Sequence, residues 1–578
     1  MYRRKKGLTP EEIKIIWDEL PSDVETPEED SSSDEDSPEQ NKTNNQRLNA
    51  TNIHEISDSE SDSSDDTESE EITQKRIWKK RDCTSTIPVF SLSHGTCASA
   101  FEGKTLPTDF FLTFLDDEII SNIVFQSNLY SNQKQRNIKP ISEEEFFGFL
   151  GLNMLFSYHR LPRVRNYWSS DIDYSVPVVP DTLSRNRYYQ ILGNLHVNDN
   201  EVIPKQNTDR LYKIRPLIDK LNKNFQSLRM PHQTQSIDES MILFKGRSTL
   251  KQYNPKKPIK RGYKLWCRSD MSGYMYEFEV YQGKDDSEFK RFGLGGSIVQ
   301  KLTKSLVNKN HIIMMDNFFS SVELYEYLKS VGIYACGTVQ SNRKGLPYLT
   351  VDKALKRGDF DYRVTDQGLS YFKWKDNRCV FFLSNYHGTE ICTIQRKQKD
   401  GSVMDIPAPT IVRDYNSHMG GVDKSDMLKS LYDRNRKAKK WWHRLFFGII
   451  EIAMVNSYIC YCDIQDKIPL LEYKRRVTQG LITLSKVPSK KRGRPRSYAG
   501  EISELPPPKK RKTANFSVSN DIRLQNKGAH WPVFAKNRGR CEFCASKNIE
   551  SRPHSQCTLC KVFLCVNEKK NCFYQYHN

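Results

Sequence analysis

The chain has 578 residues, with 89 Lys and Arg against 71 Asp and Glu, for a net charge of +18. A chain this long holds several domains with sizeable cores, and its basic balance points to a polyanion partner, nucleic acid above all. The opening MYRRKKGLTPEE lacks the apolar run of a secretory leader, and no membrane span is expected. The longest apolar stretch, LFFGIIEIAMVNSYIC, is interrupted by Glu451 and Asn456 and reads as a buried helix too short to cross a bilayer.

The charge is unevenly distributed. Between Pro21 and Ile72 there are 18 acidic and 2 basic residues, a local −16 that leaves +34 on the remainder. Residues 1–95 are therefore expected to be a disordered acidic region, since tracts such as SDSESDSSDDTESEE bury too little apolar surface to offset the entropy of ordering. The first 20 residues have the spacing of a short amphipathic helix through Ile13, Ile16, Trp17 and Leu20.

Residues 96–233 read as a helical domain. TDFFLTFLDDEIISNIVFQSNLY repeats apolar residues at the helical period through Phe111, Phe114, Leu115, Ile119, Ile123 and Val124. SEEEFFGFLGLNMLF has Ser142 as its cap and acidic residues in its first turn, and RNRYYQILGNLHV forms a third helix.

The period then changes. QSIDESMILFKG predicts a strand that contains Asp238, and YKLWCRS and YMYEFEVY predict a hairpin around DMSG. After a helical stretch near 295–307, Ile312 to Met315 read as a short buried strand ending on Asp316. Ser320 and Glu323 have capping-box spacing for the helix that follows, and YACGTV is another strand. An Asp at the carboxyl end of a buried strand opens into a crevice and is placed to hold a hard cation; alone, it equally suits a turn hydrogen bond. The order of elements matches a ribonuclease-H-like α/β core over residues 234–340. It is interrupted by a β-rich insertion over 341–407 with a hairpin turning at Asp376-Asn377, and resumes over 408–432. There DYNSHMGGVDKSDML starts a helix on which Asp423 and Asp426 share a face. Residues 433–475 return to the helical domain, 476–535 are a basic linker, and 536–578 hold a cysteine cluster.

Asp238, Asp316 and Asp423 thus stand in settings that converge in such a core. Three carboxylates brought together repel unless cations neutralise them, and two Mg²⁺ ions about 4 Å apart would also stabilise an in-line displacement at phosphorus. No His or Cys adjoins Asp238 or Asp316 in sequence, which favours oxygen-bound metals.

SIDESMILFKGR, DNFFSS, SNRKGLP, DYNSHMGGVDKSD and the Cys-rich tail, in that order, resemble the piggyBac transposases from about residue 105 to the end. The resemblance implies a multidomain α+β protein in which Asp238, Asp316 and Asp423 are the catalytic, Mg²⁺-binding triad and Asp426 a further acidic position. It implies a nuclear enzyme that acts as a homodimer on double-stranded DNA. Water attacks at the transposon end, the freed 3′-OH forms a hairpin, joining occurs at TTAA, and excision leaves no scar. The alternatives are a domesticated descendant, DNA-binding but no longer transposing, and a structure-selective nuclease of the same fold.

Basic clusters fit a DNA partner. Arg247, Lys256, Lys257, Lys260, Arg261 and Lys264 follow the first Asp; Arg343 and Lys344 lie in SNRKGLP; Lys439 and Lys440 precede Trp441 and Trp442. Each cluster also suits a solvated face, and the tryptophans suit a core. In the linker, Arg492 and Arg494 lie in an AT-hook-like RGRP, and PPPKKRK resembles a nuclear localisation signal. Six of the 14 cysteines fall in the last 38 residues, which marks a local metal site in a reducing compartment. Cys541/Cys544 and Cys557/Cys560 have the CxxC spacing that brings two thiolates to one Zn²⁺. Cys565, Cys572 and His577 follow, with His554 available as an eighth ligand. Resemblance to cross-braced fingers implies two zinc ions, the first pair joined by Cys565 and the second by Cys572 and His577. In the family this tail reads transposon-end DNA; a zinc that only holds the fold is the alternative.

Overall fold

The computed structural model describes residues 76–86, 88–255, 257–283, 291–398, 401–433, 438–486, 518, 520–524, 530–547, 549–567 and 570–577. The expected N-terminal helix, the acidic tract, Lys256, Arg492, Arg494 and the nuclear-signal-like segment lie outside these residues. The chain divides into two compact units, Met1–Lys490 and Lys491–Asn578, in a mixed α+β fold.

In the first unit a helical layer is built around one long helix, Trp441–Ile464. It is 24 residues, longer than the interrupted apolar run suggested, and long and apolar enough to cross a membrane, yet 72% of its apolar window is buried within the fold. The two polar residues that interrupt the run have defined partners. Glu451 accepts from Lys474 Nζ at 2.8 Å through both carboxylate oxygens. Asn456 clasps the backbone of Met275, accepting from its N–H at 2.9 Å and donating to its carbonyl at 2.8 Å, which fastens the helix to a strand. The segment expected as one helix near Phe111–Val124 is two, Pro107–Phe114 and Asp117–Gln133, because Asp116 caps the second through the Ile119 N–H. Helix Glu143–Tyr158 begins with the reciprocal Ser142–Glu145 capping box. Its Gly148 and Gly151 let helix Leu470–Leu484 approach closely: a Cβ at either would lie 2.9 Å from Ser485 or Ile482.

The main sheet has ten strands: β1 (Trp78–Lys79), β2 (Thr234–Leu243), β3 (Gln252–Tyr253), β4 (Arg261–Ser269), β5 (Met275–Val280), β6 (Ile312–Met315), β7 (Tyr334–Thr338), β8 (Phe360–Thr365), β9 (Ser370–Lys375) and β10 (Cys379–Ser384). Their spatial order is β1-β8-β9-β10-β7-β6-β2-β4-β3, with β5 also paired to β4. β2, β6 and β7 are mutually parallel neighbours, and β4 and β5 run as an antiparallel meander from β2.

Two expectations change here. Residues 341–407 do not stand apart: β10 pairs with β7, so β8–β10 continue the core sheet, and only the hairpin Ile391–Lys397/Val403–Pro409 forms a separate pairing. The expected disordered region also ends earlier than residue 95. Trp78–Lys79 add an edge strand to β8, and the Arg76 guanidinium pairs with Glu326 at 2.6 Å.

The four residues of β6 serve two cores. Ile313 and Met315 pack with helices Gly293–Thr303 and Val322–Ser330, while Ile312 and Met314 pack with Ile394, Ile406, Ile411 and Val412 on the opposite face. A strand buried on both faces needs a continuous apolar run, which is what IIMM is. The helix after it is capped by Ser321, which accepts from the Leu324 N–H at 3.3 Å. Ser320, the expected cap, is buried and bonds to the Asp316 carbonyl and the Tyr325 hydroxyl instead.

Candidate active site and metal centres

β2 and β6 run parallel with Ile237 opposite Met315. The next residue on each chain is an acid, so Asp238 and Asp316 emerge side by side where β6 ends. Glu239, the residue after Asp238, joins them: one carboxylate oxygen each from Asp238, Glu239 and Asp316 lie within 4.8 Å of one another. Each is held from its own neighbourhood. Asp238 accepts from the Glu239 N–H at 2.7 Å and from Lys257 Nζ at 3.0 Å. Glu239 accepts from Asn254 Nδ2 at 3.0 Å, and Asp316 from the Phe318 N–H at 2.9 Å.

Burial raises the Asp238 carboxyl to about 7, with Lys257 opposing the shift and Glu239 adding to it. Burial also raises Asp316, and the adjacent Glu239 carboxylate reinforces it. A half-desolvated trio of oxygen ligands that repel one another fits a hard divalent cation, which would relieve both costs.

Asp423 reaches the centre from a separate element, a helix packed on β2. It lies in the first turn of helix Gly421–Leu431, its side chain is 70% exposed, and it meets the centre through Lys257 Nζ at 3.3 Å. Gly421 allows this approach, because a Cβ there would lie 2.5 Å from the Asp270 carbonyl and 2.7 Å from Ser236 Oγ. Asp426, on the same helix face, is engaged elsewhere: it accepts from Ser240 Oγ at 2.6 Å and pairs with Lys429 at 2.8 Å.

Among the basic residues marked for DNA, Lys257 points into the carboxylates. Lys264 is half-buried, its ammonium 3.9 Å over the Trp266 ring and 5.2 Å over Phe318; burial lowers its pKa. Arg343 braces the turn after Asp316 by donating to the Asn317 and Phe318 carbonyls at 3.1 and 3.0 Å. Lys440 donates to the Gly193 carbonyl at 3.0 Å. Arg261 lies over Tyr253 at 5.1 Å, and Arg247, Lys260, Lys344 and Lys439 are exposed. Trp442 is buried and Trp441 half-buried, both in the helical core.

The second unit holds two further clusters, and no disulfide joins any of the chain's 14 cysteines. Cys541, Cys544, Cys565 and Cys572 form one group and His530, Cys557, Cys560 and His577 the other; in each the ligand atoms lie within 4.8 Å of one another and all four residues are buried. Cys544 Sγ is 3.9 Å from Cys565 Sγ and 3.5 Å from Cys572 Sγ. His530 Nδ1 is 3.3 Å from Cys557 Sγ, and His577 Nε2 is 3.4 Å from Cys560 Sγ. These separations are edges of tetrahedra of the size zinc requires.

This corrects the expected pairing. Cys572 joins the first CxxC because the short pairing of Val566–Asn567 with Lys570–Asn571 turns the chain back before it. His530, which spacing did not single out, completes the second group because Pro532–Phe534 pairs with Ser555–Cys557. His554 is exposed and accepts from Arg538 Nε at 2.8 Å, outside both groups. The two groups alternate along the sequence, as in a cross-brace.

A family model described as Transposase IS4 matches residues 106–458, a stretch containing every carboxylate of the centre. The human PiggyBac transposable element-derived protein 3 is 34% identical over 411 residues, covering 69% of this chain and 68% of that protein. The human PiggyBac transposable element-derived protein 2 is 28% identical over 520 residues, covering 88% and 82%. A cryo-EM structure of a piggyBac transposase synaptic complex with hairpin DNA shares the fold, with a TM-score of 0.60 at 22% identity over 82% of this chain and 98% of that one. The class is thus that of the DNA transposases. Within it, the chain belongs to the piggyBac transposase family.

Proposed function

We propose that this chain is a DNA transposase that cuts at the ends of its element and joins them at TTAA, acting in the nucleus as a homodimer. The observation that carries the reading is the Asp238–Glu239–Asp316 cluster at the ends of two parallel strands, with Asp423 drawn to it. The strand order β5-β4-β2-β6-β7, an antiparallel meander followed by two parallel additions, supports a ribonuclease-H-like core.

In this reading Asp238, Asp316 and Asp423 would hold divalent cations, Mg²⁺ by the hardness of the donors, with Glu239 beside them. Bound there, the cations supply charge stabilisation to an in-line displacement at phosphorus. The chain's own residues do the rest. The Phe318 N–H and Arg343 fix the Asp316 turn, and Gly421 sets how near Asp423 comes. Exposed Arg247, Lys260, Lys344 and Lys439 provide positive charge for the phosphate backbone. A water oxygen bonds to the phosphorus at the element's end and the 3′-oxygen leaves with its electron pair. The 3′-oxygen takes up a proton as the attacking water gives one up to solvent. The resulting 3′-OH then attacks a phosphorus of the opposite strand, whose flanking 3′-oxygen leaves with its electron pair, and the new bond closes a hairpin. Zinc in the two Cys/His groups would hold the second unit as a DNA-reading finger.

The test is excision from a reporter plasmid carrying the element's own ends, with the native protein and with Asp316→Asn, and end-DNA affinity measured separately. Scarless excision by the native protein, lost in the variant at unchanged affinity, supports the reading. Tight end binding without excision by either would leave a DNA-binding descendant in its place.

A further inference from the structure

One cation is already present in the carboxylate centre, and it belongs to the protein. The segment between β3 and β4 folds over the site and grips it twice: Asn254 holds Glu239, and Lys257 stands between Asp238 and Asp423 at 3.0 and 3.3 Å. The Lys257 side chain is only 16% exposed, whereas Asp423 is 70% exposed. The ammonium therefore sits inside the site and the third carboxylate is drawn to it from outside. Asp423 makes no other contact among those described, while its helix is fastened around it by buried Val422 and Ser425, the close approach of Gly421, a bond from Lys424 Nζ to the Met271 carbonyl at 3.0 Å and the Ser240–Asp426 bond at 2.6 Å.

We infer that Lys257 is the resident counter-ion of this centre: it keeps Asp238 and Asp423 together before metal arrives, and a divalent cation taken up by these carboxylates would have to displace it. The inference rests on the metal-dependent reading above and adds a competition to it. Two acids on separate elements, brought together without a positive charge between them, would repel, and the Asp423 side chain would turn to solvent and loosen the first turn of its helix. Lys257 prevents that, at the cost of competing with the ion that the site is built to hold. Lys257 is therefore a positioning residue, acting through Asp238 and Asp423.

The competition is measured on the full-length protein without DNA, by titrating Mn²⁺ and following free Mn²⁺ by electron paramagnetic resonance. Lys257→Met is expected to bind Mn²⁺ about tenfold more tightly than the native chain, the effect of deleting one partly exposed competing ion pair. Lys257→Arg keeps the charge and should bind no more tightly than native, and Asp238→Asn should lose the site. Amide hydrogen exchange over residues 421–431 gives the second readout: in the metal-free state it should accelerate in Lys257→Met, be restored by Lys257→Arg, and slow again when Mn²⁺ is added. Equal or weaker Mn²⁺ binding by Lys257→Met, with helix exchange unchanged, overturns the inference and leaves the metal-dependent reading standing. Failure of the native chain to bind Mn²⁺ in an Asp238-dependent way overturns both.

Discussion

Exchanging His530 or His554 for Ala discriminates sharply between the two candidate ligand sets of the second unit. His530 Nδ1 lies 3.3 Å from Cys557 Sγ and 3.4 Å from Cys560 Sγ. With Zn–S near 2.3 Å and Zn–N near 2.0–2.1 Å, a tetrahedral edge between nitrogen and sulfur is about 3.6 Å, so His530 is within small adjustment of ligation. His554, by contrast, is exposed and bonded to Arg538. A structural zinc contributes roughly 10–16 kcal/mol, and losing one of four ligands forfeits about a quarter, some 3 kcal/mol or ~10²-fold in affinity. Dialysis against a chelator that the native protein resists, followed by zinc determination by mass spectrometry, should find two ions in the native chain and in His554→Ala, and one in His530→Ala. Two ions retained by His530→Ala and one lost from His554→Ala would refute the assignment and restore the pairing implied by resemblance to cross-braced fingers.

Other consequences are equally specific. The Asp238 carboxyl, raised to about 7 by burial, must lose its proton to hold a cation. Mn²⁺ affinity should therefore climb about tenfold from pH 6 to pH 8, with proton release at the acid end seen by calorimetry in two buffers. The sign follows from a folded value above the unfolded one: in the metal-free protein, ionisation of this group costs stability as the pH rises through 7. Glu451→Leu should destabilise the first unit by about 3–5 kcal/mol in urea denaturation, since it leaves the buried Lys474 ammonium with only the Tyr432 carbonyl, whereas adding Lys474→Met should recover most of the loss. Gly421→Val should cost about 1–3 kcal/mol through overpacking against Asp270 and Ser236, and it should lower excision far more than end binding.

Much of the centre was legible because it is built on local pattern. A run of four apolar residues closed by Asp316 reads as a short buried strand with an acid at its exit, and the structure makes it one. Glu239 was not legible, because adjacent strand residues are expected on opposite faces. β6 ends at Met315, however, so the side of β2 beyond Ile237 is open and a long side chain can reach round. Lys257 looked like one more phosphate contact in a basic run; only the fold over of its segment brings it between two acids. His530 lies 11 residues before the first CxxC, a separation that carries no ligand signature, and a strand pairing brings it in. The pairing of β10 with β7 is likewise a long-range choice that local period does not encode. The Ser320/Ser321 shift shows the limit of spacing alone, since two neighbouring hydroxyls compete for one cap and the buried one is claimed by Asp316 and Tyr325.

The strand that delivers Asp316 has no solvent side. Along most strands every second position is free to drift, and a lineage can tune its surface there at little cost. β6 offers no such position: Ile313 and Met315 answer to one core, Ile312 and Met314 to the other. A saturation library across these four residues should lose the even-odd tolerance usual for strands and show the same intolerance throughout. The acid at its end is thereby insulated from evolutionary change on the protein's surfaces. Loops and exposed strand positions elsewhere can change while the placement of Asp316 is inherited unaltered.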